Sequence, residues 1–164
     1  MRIKNIGTDK ALQKIKIYCA YQERCHKEVR QKLYSFGLYR NEVEILIALV
    51  IDEGCLDEQR YAIAFAGGKS RIKKWGKVKI RYELKQKGIS DYCIRKALDA
   101  IDSDQYIRDM KKLYNERLKA LSREKNIFIK KAKMRSYLLN KGYEEELIYQ
   151  LINNDPNKNY TSNR

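Results

Sequence analysis

The chain has 164 residues, a length that suits one domain or a short array of repeats. Hydrophobic residues make up 43% of the composition and charged residues 35%, which excludes a disordered chain and indicates a globular protein rich in charge. Lys and Arg number 36 against 21 Asp and Glu, and the net charge of +15 predicts a polyanionic partner: nucleic acid, a membrane surface or an acidic protein surface.

The sequence contains no predicted membrane segment, because its longest apolar run, Ile45–Ile51, has seven residues and a spanning helix needs about 20. Residues 1–16 mix basic and aliphatic side chains and do not resemble a signal peptide, so we expect a cytoplasmic protein. The four cysteines lack the close spacing of a metal cluster or a disulfide framework. We therefore expect no metal or other cofactor, and small buried or half-buried thiols at Cys19, Cys25, Cys55 and Cys93.

Three glycines mark an internal repeat of about fifty residues. Gly37, Gly88 and Gly142 each follow a leucine by four residues and precede apolar residues at matching offsets. Apolar residues recur at intervals of three and four, which predicts helices, and each glycine is expected to end one in the left-handed conformation. The repeated offsets predict the core, whose members are Val29, Leu33, Leu38, Val43, Leu46 and Ile47, then Ile80, Leu84, Ile89, Ile94, Ala97 and Leu98, then Met134, Leu138, Tyr143, Ile148, Leu151 and Ile152.

A further helical stretch precedes each of these hairpins, so each repeat is predicted to contain three helices. These stretches are Lys10–Tyr21, Asp57–Lys69 and Asp104–Leu121, and Asp57 has a side chain typical of a helix N-cap. Asn41, Ser90 and Glu144 are expected near the N-termini of the helices that follow the three glycines. The predicted fold is all-α, an elongated, curved array of three tandem three-helix repeats. The predicted divisions are a first repeat over residues 1–53, a central and most basic repeat over 54–102, a third repeat over 103–153, and a polar flexible tail over 154–164.

Positive charge is concentrated in two segments. Lys69–Lys87 holds nine basic residues against Glu83, and Arg117–Lys141 holds nine against Glu124. A solvated helix face is the ordinary explanation of such a run, but the density here favours contact with phosphates or with an acidic protein. The candidate binding residues, of which Lys73, Lys74, Lys77 and Arg81 are predicted to be exposed, are Arg24, Lys27, Arg71, Lys73, Lys74, Lys77, Lys79, Arg81, Lys130, Lys131, Lys133 and Arg135.

Three other features resemble functional motifs but have plainer explanations. The adjacent Cys25 and His26 point in different directions on a helix, and no third group orients them, so no catalytic pair is predicted. The stretch Gly67-Gly68-Lys69-Ser70 lacks the earlier glycine and the preceding strand of a phosphate-binding loop, and instead predicts a helix end after Ala66 and a sharp turn. For Trp75, a place in the core is favoured over stacking on a nucleic-acid base.

Two stretches of the central repeat resemble a known family. Gly54-Cys-Leu-Asp-Glu-Gln-Arg-Tyr-Ala62, followed by Lys74-Trp-Gly-Lys-Val-Lys-Ile-Arg-Tyr-Glu-Leu-Lys-Gln-Lys-Gly-Ile89, is similar to the central repeat of the RecX regulatory proteins, and the resemblance extends over residues 10–153. It implies a bent array of three-helix repeats that lies in the helical groove of the RecA–DNA filament and contacts neighbouring RecA subunits. It also implies a block of filament growth and suppression of ATP hydrolysis and strand exchange.

The resemblance therefore implies a monomeric, non-enzymatic regulator in DNA repair, homologous recombination and the SOS response, whose partners are the RecA filament and single- or double-stranded DNA. The alternative is a free-standing nucleic-acid-binding repeat protein, whose affinity for DNA should depend strongly on the salt concentration. A helix-turn-helix transcription factor is disfavoured because three similar hairpins occur without a dimerisation segment. An enzyme is the least favoured class.

Overall fold

The structure is a computed structural model that describes residues 4–154, so the predicted tail lies outside the described residues apart from Asn154. Residues 4–154 form nine α-helices and no β-strand, which confirms the all-α class. None of these helices is both long enough and apolar enough to cross a membrane. In chain order they are α1 (Thr8–Tyr21), α2 (His26–Ser35), α3 (Arg40–Asp52), α4 (Glu58–Lys73), α5 (Lys77–Gln86), α6 (Asp91–Asp99), α7 (Ser103–Ala120), α8 (Ile127–Lys141) and α9 (Glu145–Asn153).

The chain divides into two compact units. Among the described residues, unit 1 comprises 4–67 and 83–100, and unit 2 comprises 68–82 and 101–154, so that α4 and α5 each contribute to both. The order of the helices is consistent with three groups of three. The bounds of the three repeats, and their elongated, curved arrangement, stay predictions.

In unit 1, the helices α1, α2 and α3 pack around one core. Leu33 and Val29, one turn apart on α2, are fully buried, and α1 contributes Ile15 and α3 contributes Val43. Leu84, the corresponding leucine of the central repeat, is also fully buried. Because residues four apart share a helix face, the periodic offsets identified this core correctly.

In unit 2, α8 packs against both α7 and α9. Leu138 and Met134 form the buried stripe of α8, Ile148 and Ile152 that of α9, and Tyr143 lies buried just after the glycine that separates the two helices. The prediction of Leu151 as a core residue is wrong, since its side chain is only half-buried. The Tyr143 ring packs against Tyr106 of α7 with 5.0 Å between ring centroids. The third copy of the repeat therefore uses an aromatic ring at the position where the other two have Leu38 and Ile89.

The four cysteines are free thiols, and all of them belong to unit 1. Three are buried and Cys55 is half-buried, as the spacing predicted. Burial raises the pKa of the Cys19, Cys25 and Cys93 thiols above the ordinary 9.0. These three side chains are therefore uncharged thiols at neutral pH, which suits packing.

The predicted glycine helix ends are confirmed. Gly37, Gly88 and Gly142 have φ angles of 80°, 78° and 89°, in the left-handed region. After α5, the Ile89 amide donates to Leu84 O (3.1 Å) and the Gly88 amide to Lys85 O (2.9 Å). This pair of bonds closes a Schellman motif and satisfies the last carbonyls of the helix.

Replacing Gly88 with alanine should lower the free energy of unfolding by about 1 kcal/mol, since a Cβ disfavours the left-handed conformation. The cost is purely conformational, because nothing lies within 4 Å of a Cβ built on Gly88. Urea denaturation measures it. Gly88→Asn is the matched control and should cost less, because asparagine tolerates this conformation; equal losses for both variants would contradict the explanation.

The predicted helix end at Gly67 and Gly68 is wrong. Helix α4 continues through both glycines to Lys73. A glycine in a helix interior costs only about 1 kcal/mol relative to alanine, and the buried Ala66 and Ser70 on either side hold the segment in place. The chain turns later, at Lys74, which has a left-handed φ of 54°.

One ion pair in unit 1 joins α2 to the residue that follows α5. Lys87 Nζ lies 2.9 Å from Glu28 Oε1, and less than a third of either side chain is exposed. Burial alone would raise the pKa of the Glu28 carboxyl, but hydrogen bonds from Lys87 and from the Cys25 amide outweigh it and hold that pKa below 4.5. Burial alone would lower the pKa of the Lys87 ammonium, but its bond to Glu28 and the neighbouring Tyr61 keep that pKa raised.

The signs of these shifts predict how stability depends on pH. The lowered pKa of Glu28 means that its contribution is present at neutral pH and is lost as the pH falls through the folded-state pKa. The raised pKa of Lys87 means that its contribution is lost only as the pH rises beyond 10.5. Glu28→Gln should lower the free energy of unfolding by about 1.5–3 kcal/mol at pH 7, because it removes a hydrogen bond between charged groups.

Urea denaturation of Glu28→Gln and of the parent at neutral and acidic pH tests this. The difference between them should shrink in acid, where the parent carboxylate becomes protonated. The exposed Glu44, which pairs with Arg30 on the surface, provides the control variant Glu44→Gln, expected to change stability far less. A Glu28→Gln loss that is the same at both pH values would contradict the prediction.

Candidate basic binding surface

Residues 68–82 carry the densest positive charge in unit 2, with seven Lys and Arg and no Asp or Glu. They comprise the end of α4, the turn around Lys74 and most of α5. The surface formed by this segment and by α8 is called the basic surface below. It contains ten of the twelve candidate residues, and Arg24 and Lys27 belong to unit 1.

The start of α5 is held by hydrogen bonds from distant parts of unit 2. The Gly76 amide donates to Lys141 O (2.8 Å) and the Val78 amide to Gly142 O (3.0 Å), so the carbonyl end of α8 meets the amide end of α5. This arrangement satisfies backbone groups that helix ends otherwise leave unpaired, and it brings opposite ends of two helix dipoles together. Because these amides already have acceptors, an anion at this surface would be bound by side chains.

Tyr106 of α7 completes the same junction. Its hydroxyl accepts a hydrogen bond from the Lys77 amide (2.8 Å) and donates one to Glu144 Oε2 (2.6 Å). Only 3% of Tyr106 is exposed, and burial, reinforced by the Glu144 carboxylate, raises the pKa of its hydroxyl far above 10. The hydroxyl therefore stays protonated and fixes the position of α5.

Several candidate cations are already engaged within unit 2. Lys74 Nζ lies 2.9 Å from Oδ1 of Asp109, a carboxylate that is 7% exposed, so Lys74 is a structural cation that helps to hold the left-handed turn. Lys133 pairs with Glu124 (3.0 Å), and Arg135 pairs with Glu145. The Lys77 ammonium lies 5.4 Å from the centre of the Tyr106 ring. The expected full exposure of Lys74 and Lys77 is wrong, since both are half-buried by these contacts.

Four candidate cations lack such partners within the described part of unit 2. Arg71, Lys73, Arg81 and Lys131 are exposed, and within residues 4–154 none of the four has an Asp or Glu carboxylate within ion-pair distance. Their charge is therefore available to an external anion. Lys130, by contrast, is only 8% exposed.

The two candidates in unit 1 have local contacts as well. The Arg24 guanidinium stacks 4.0 Å from the centre of the Tyr18 ring, and its Nε is buried without a hydrogen-bond partner among the described residues. Lys27 is exposed, and its Nζ donates to Gln86 O at 3.3 Å. Arg24 is thus partly a packing residue, whereas Lys27 displays its charge.

The sequence prediction left Lys69 out of the candidate set. Its ammonium lies 4.9 Å from the centre of the Trp75 ring, and the Lys79 ammonium lies 4.5 Å from the same ring. Trp75 itself is half-buried and is not part of the core that the sequence favoured for it. The turn at Lys74 brings these residues together, and no local spacing rule predicts it.

Comparison with known proteins gives the family. Residues 57–98 match the family model described as RecX, second three-helix domain. The regulatory protein RecX of Escherichia coli O9:H4 is 31% identical over 148 residues, covering 82% of this chain and 85% of that protein. The chain belongs to the RecX family.

Other RecX proteins extend this result. RecX of Clostridium acetobutylicum is 31% identical over 132 residues, 79% of this chain but only 61% of that longer relative. The crystal structure of RecX from Lactobacillus salivarius has a TM-score of 0.80 at 24% identity, covers 89% of this chain and is itself 94% covered, which shows a shared fold. These relatives are named regulatory proteins.

The residues that matched the RecX pattern have structural roles here. Asp57 caps α4 by accepting from the Arg60 amide (2.7 Å), and Ser90 caps α6 by accepting from the Cys93 amide (3.4 Å), as predicted. Glu58 accepts hydrogen bonds from both the amide and the hydroxyl of Ser90, which ties the start of α4 to the start of α6. The adjacent Asp57 and Glu58 of the RecX-like stretch thus cap and connect helices within unit 1.

Proposed function

We propose that this protein is a non-enzymatic regulator that binds the RecA filament on single-stranded DNA and inhibits its extension, its ATPase and strand exchange. Membership of the RecX family supports the regulatory role. The proposed mode of binding is supported by four exposed cations of the basic surface that have no carboxylate partner among residues 4–154: Arg71, Lys73, Arg81 and Lys131. Such a protein acts as a monomer in the cytoplasm, in DNA repair by homologous recombination and in the SOS response.

The physical basis of the proposal is electrostatic. A RecA filament presents DNA phosphates within a groove, and complementary charge speeds association and sets orientation. Lys74, Lys133 and Arg135 would serve this surface indirectly, because their partners Asp109, Glu124 and Glu145 hold them in place. The four cations without a carboxylate partner among residues 4–154 would contact phosphates directly.

ATP hydrolysis by RecA on single-stranded DNA tests the proposal. The purified protein should slow hydrolysis at amounts well below one molecule per RecA, because blocking one growing end affects a whole filament. An unchanged rate at equimolar protein would overturn the proposal.

The second candidate function, a free-standing nucleic-acid binder, is favoured by the same cations and by the net charge of +15. Binding to RecA-coated and to naked single-stranded DNA separates the two. A regulator of the filament prefers the coated strand, whereas a general binder prefers the naked strand or does not discriminate. For a general binder, a plot of the logarithm of the binding constant against the logarithm of the salt concentration should have a slope of about −0.7 per phosphate neutralised on a single strand.

A further inference from the structure

Trp75, the only tryptophan in the chain, lies in the turn between α4 and α5. Its amide donates to Lys69 O at 3.2 Å, which fixes the turn that carries the indole. Two aromatic side chains of unit 2, Tyr106 and Tyr143, are 3% and 2% exposed, whereas Trp75, like Tyr82 at 60%, keeps part of its surface in contact with solvent. The exposed part of the indole is available to contact a ligand.

The ammonium groups of two lysines lie over the ring of this indole. Lys69 Nζ and Lys79 Nζ are 4.9 Å and 4.5 Å from the ring centre, within the range of cation–π attraction. The exposed Arg71 and Lys73 lie in the same segment, which holds no acidic residue. The site thus combines an aromatic surface with closely placed positive charge.

A ligand that matches both properties has a flat π system and an anionic group a short distance away. A nucleotide has both, since a base can stack on the indole while its phosphate meets the ammonium groups. In a duplex the bases are stacked on one another and cannot reach the indole, whereas in a single strand they can.

We propose that Lys69, Trp75 and Lys79 form a nucleotide subsite for single-stranded nucleic acid, in which a base displaces ammonium from the Trp75 ring and stacks there while the two lysines bind the adjacent phosphate. This inference rests on the proposed function, because it specifies how the basic surface recognises the single strand. It adds a preference for single strands over duplexes, which cations alone do not provide.

The intrinsic fluorescence of Trp75 reports on this subsite directly, because no other tryptophan contributes. The full chain is titrated with single-stranded oligothymidylate, with a duplex of equal length and with inorganic polyphosphate as a phosphate-only probe. Stacking predicts saturable quenching by oligothymidylate and much weaker quenching by the duplex and by polyphosphate. Equal quenching by polyphosphate, or none by oligothymidylate, would overturn the proposal.

Two substitutions of the same residue provide an independent readout. Trp75→Leu keeps an apolar side chain but removes the stacking surface, and should weaken oligothymidylate binding, measured by anisotropy of a labelled strand, by roughly 5- to 150-fold. Trp75→Phe should retain most of the affinity. The control is Tyr21→Leu, which removes an aromatic side chain that is 83% exposed in unit 1 and should leave binding unchanged. Equal affinities for Trp75→Leu and the parent would overturn the proposal, and thermal unfolding checks that each variant folds.

Failure of the subsite can be distinguished from failure of the proposed function, because the titration contains no RecA. A parent protein that inhibits the RecA ATPase but shows no quenching by oligothymidylate retains the proposed function and has no such subsite. A parent that shows quenching and leaves the ATPase unchanged has the subsite, and the proposed regulation of RecA is then wrong.

Discussion

Reversing Arg71, Lys73, Arg81 and Lys131 to glutamate should weaken binding to RecA-coated single-stranded DNA by on the order of 100-fold or more at physiological salt, because attraction to the phosphates becomes repulsion. These four side chains are exposed and have no carboxylate partner among residues 4–154, so folding should change little. Surface substitutions of this kind usually change stability by about 0.5 kcal/mol or less each. Inhibition of the RecA ATPase should be lost in parallel.

The choice of these four residues depends on the structure. Lys74 also belongs to the basic surface, but its reversal would leave the buried Asp109 next to a second carboxylate and would destabilise the fold. A loss of binding in such a variant would therefore be ambiguous. Leaving Lys74 unchanged makes the test specific for recognition.

A second quadruple variant controls for net charge. Lys10, Arg40, Arg95 and Lys111 are also exposed, and their reversal to glutamate changes the net charge by the same amount. This variant should keep most of its affinity for the coated strand, apart from a modest loss of long-range attraction that salt screens. Equal losses for the two variants would show that net charge acts alone and that the basic surface has no special role.

The substitution with the largest expected effect on stability is Gly76→Ala, which should lower the free energy of unfolding by about 3 kcal/mol or more. A Cβ at this position would overlap the backbone of Gly142 and the amide of Tyr143. Relief requires α5 and α8 to move apart, and such a movement breaks the hydrogen bonds from the Gly76 and Val78 amides. Calorimetry or urea denaturation measures the loss.

Gly68→Ala provides the matched control for this prediction. Gly68 lies inside α4, and nothing lies within 4 Å of a Cβ built there. Alanine at this position should stabilise the protein by up to about 1 kcal/mol, because it favours the helix. The close contact between Gly76 and Gly142 is supported if Gly76→Ala lowers the free energy of unfolding and Gly68→Ala raises it. A similar small change in the free energy of unfolding for both variants would contradict it.

The sequence predicted those parts of the fold that depend on local pattern. Each of Gly37, Gly88 and Gly142 ends a helix, because a left-handed residue is needed there and glycine adopts that conformation easily. The leucine four residues before each glycine is fully buried, because the 3.6-residue period places it on the same face as the other apolar positions. These patterns could be recognised because the three copies of the repeat have apolar residues and glycines at the same offsets.

The sequence could not predict features that depend on contacts between distant segments. The charge of Lys74 looked like that of its neighbours, and only the fold places Asp109 beside it. The glycine pair Gly67–Gly68 suggested a helix end by composition, but the buried residues around it determined a continuous helix. Trp75 was assigned to the core because it is a large apolar side chain, whereas the left-handed turn before it leaves it half-buried with two ammonium groups over its ring.

The hydrogen bonds from the first turn of α5 to the end of α8 also constrain how the protein is made. The Gly76 amide is synthesised early, and its acceptor, Lys141 O, belongs to a residue near the end of the described chain. Residues 68–82 are therefore synthesised well before their partners exist, and this highly charged segment must wait in the nascent chain until residues 141 and 142 have been made. A shortened gene that ends before residue 141 would leave this part of unit 2 without its acceptors, so the protein cannot be trimmed one helical hairpin at a time as a simple repeat array could.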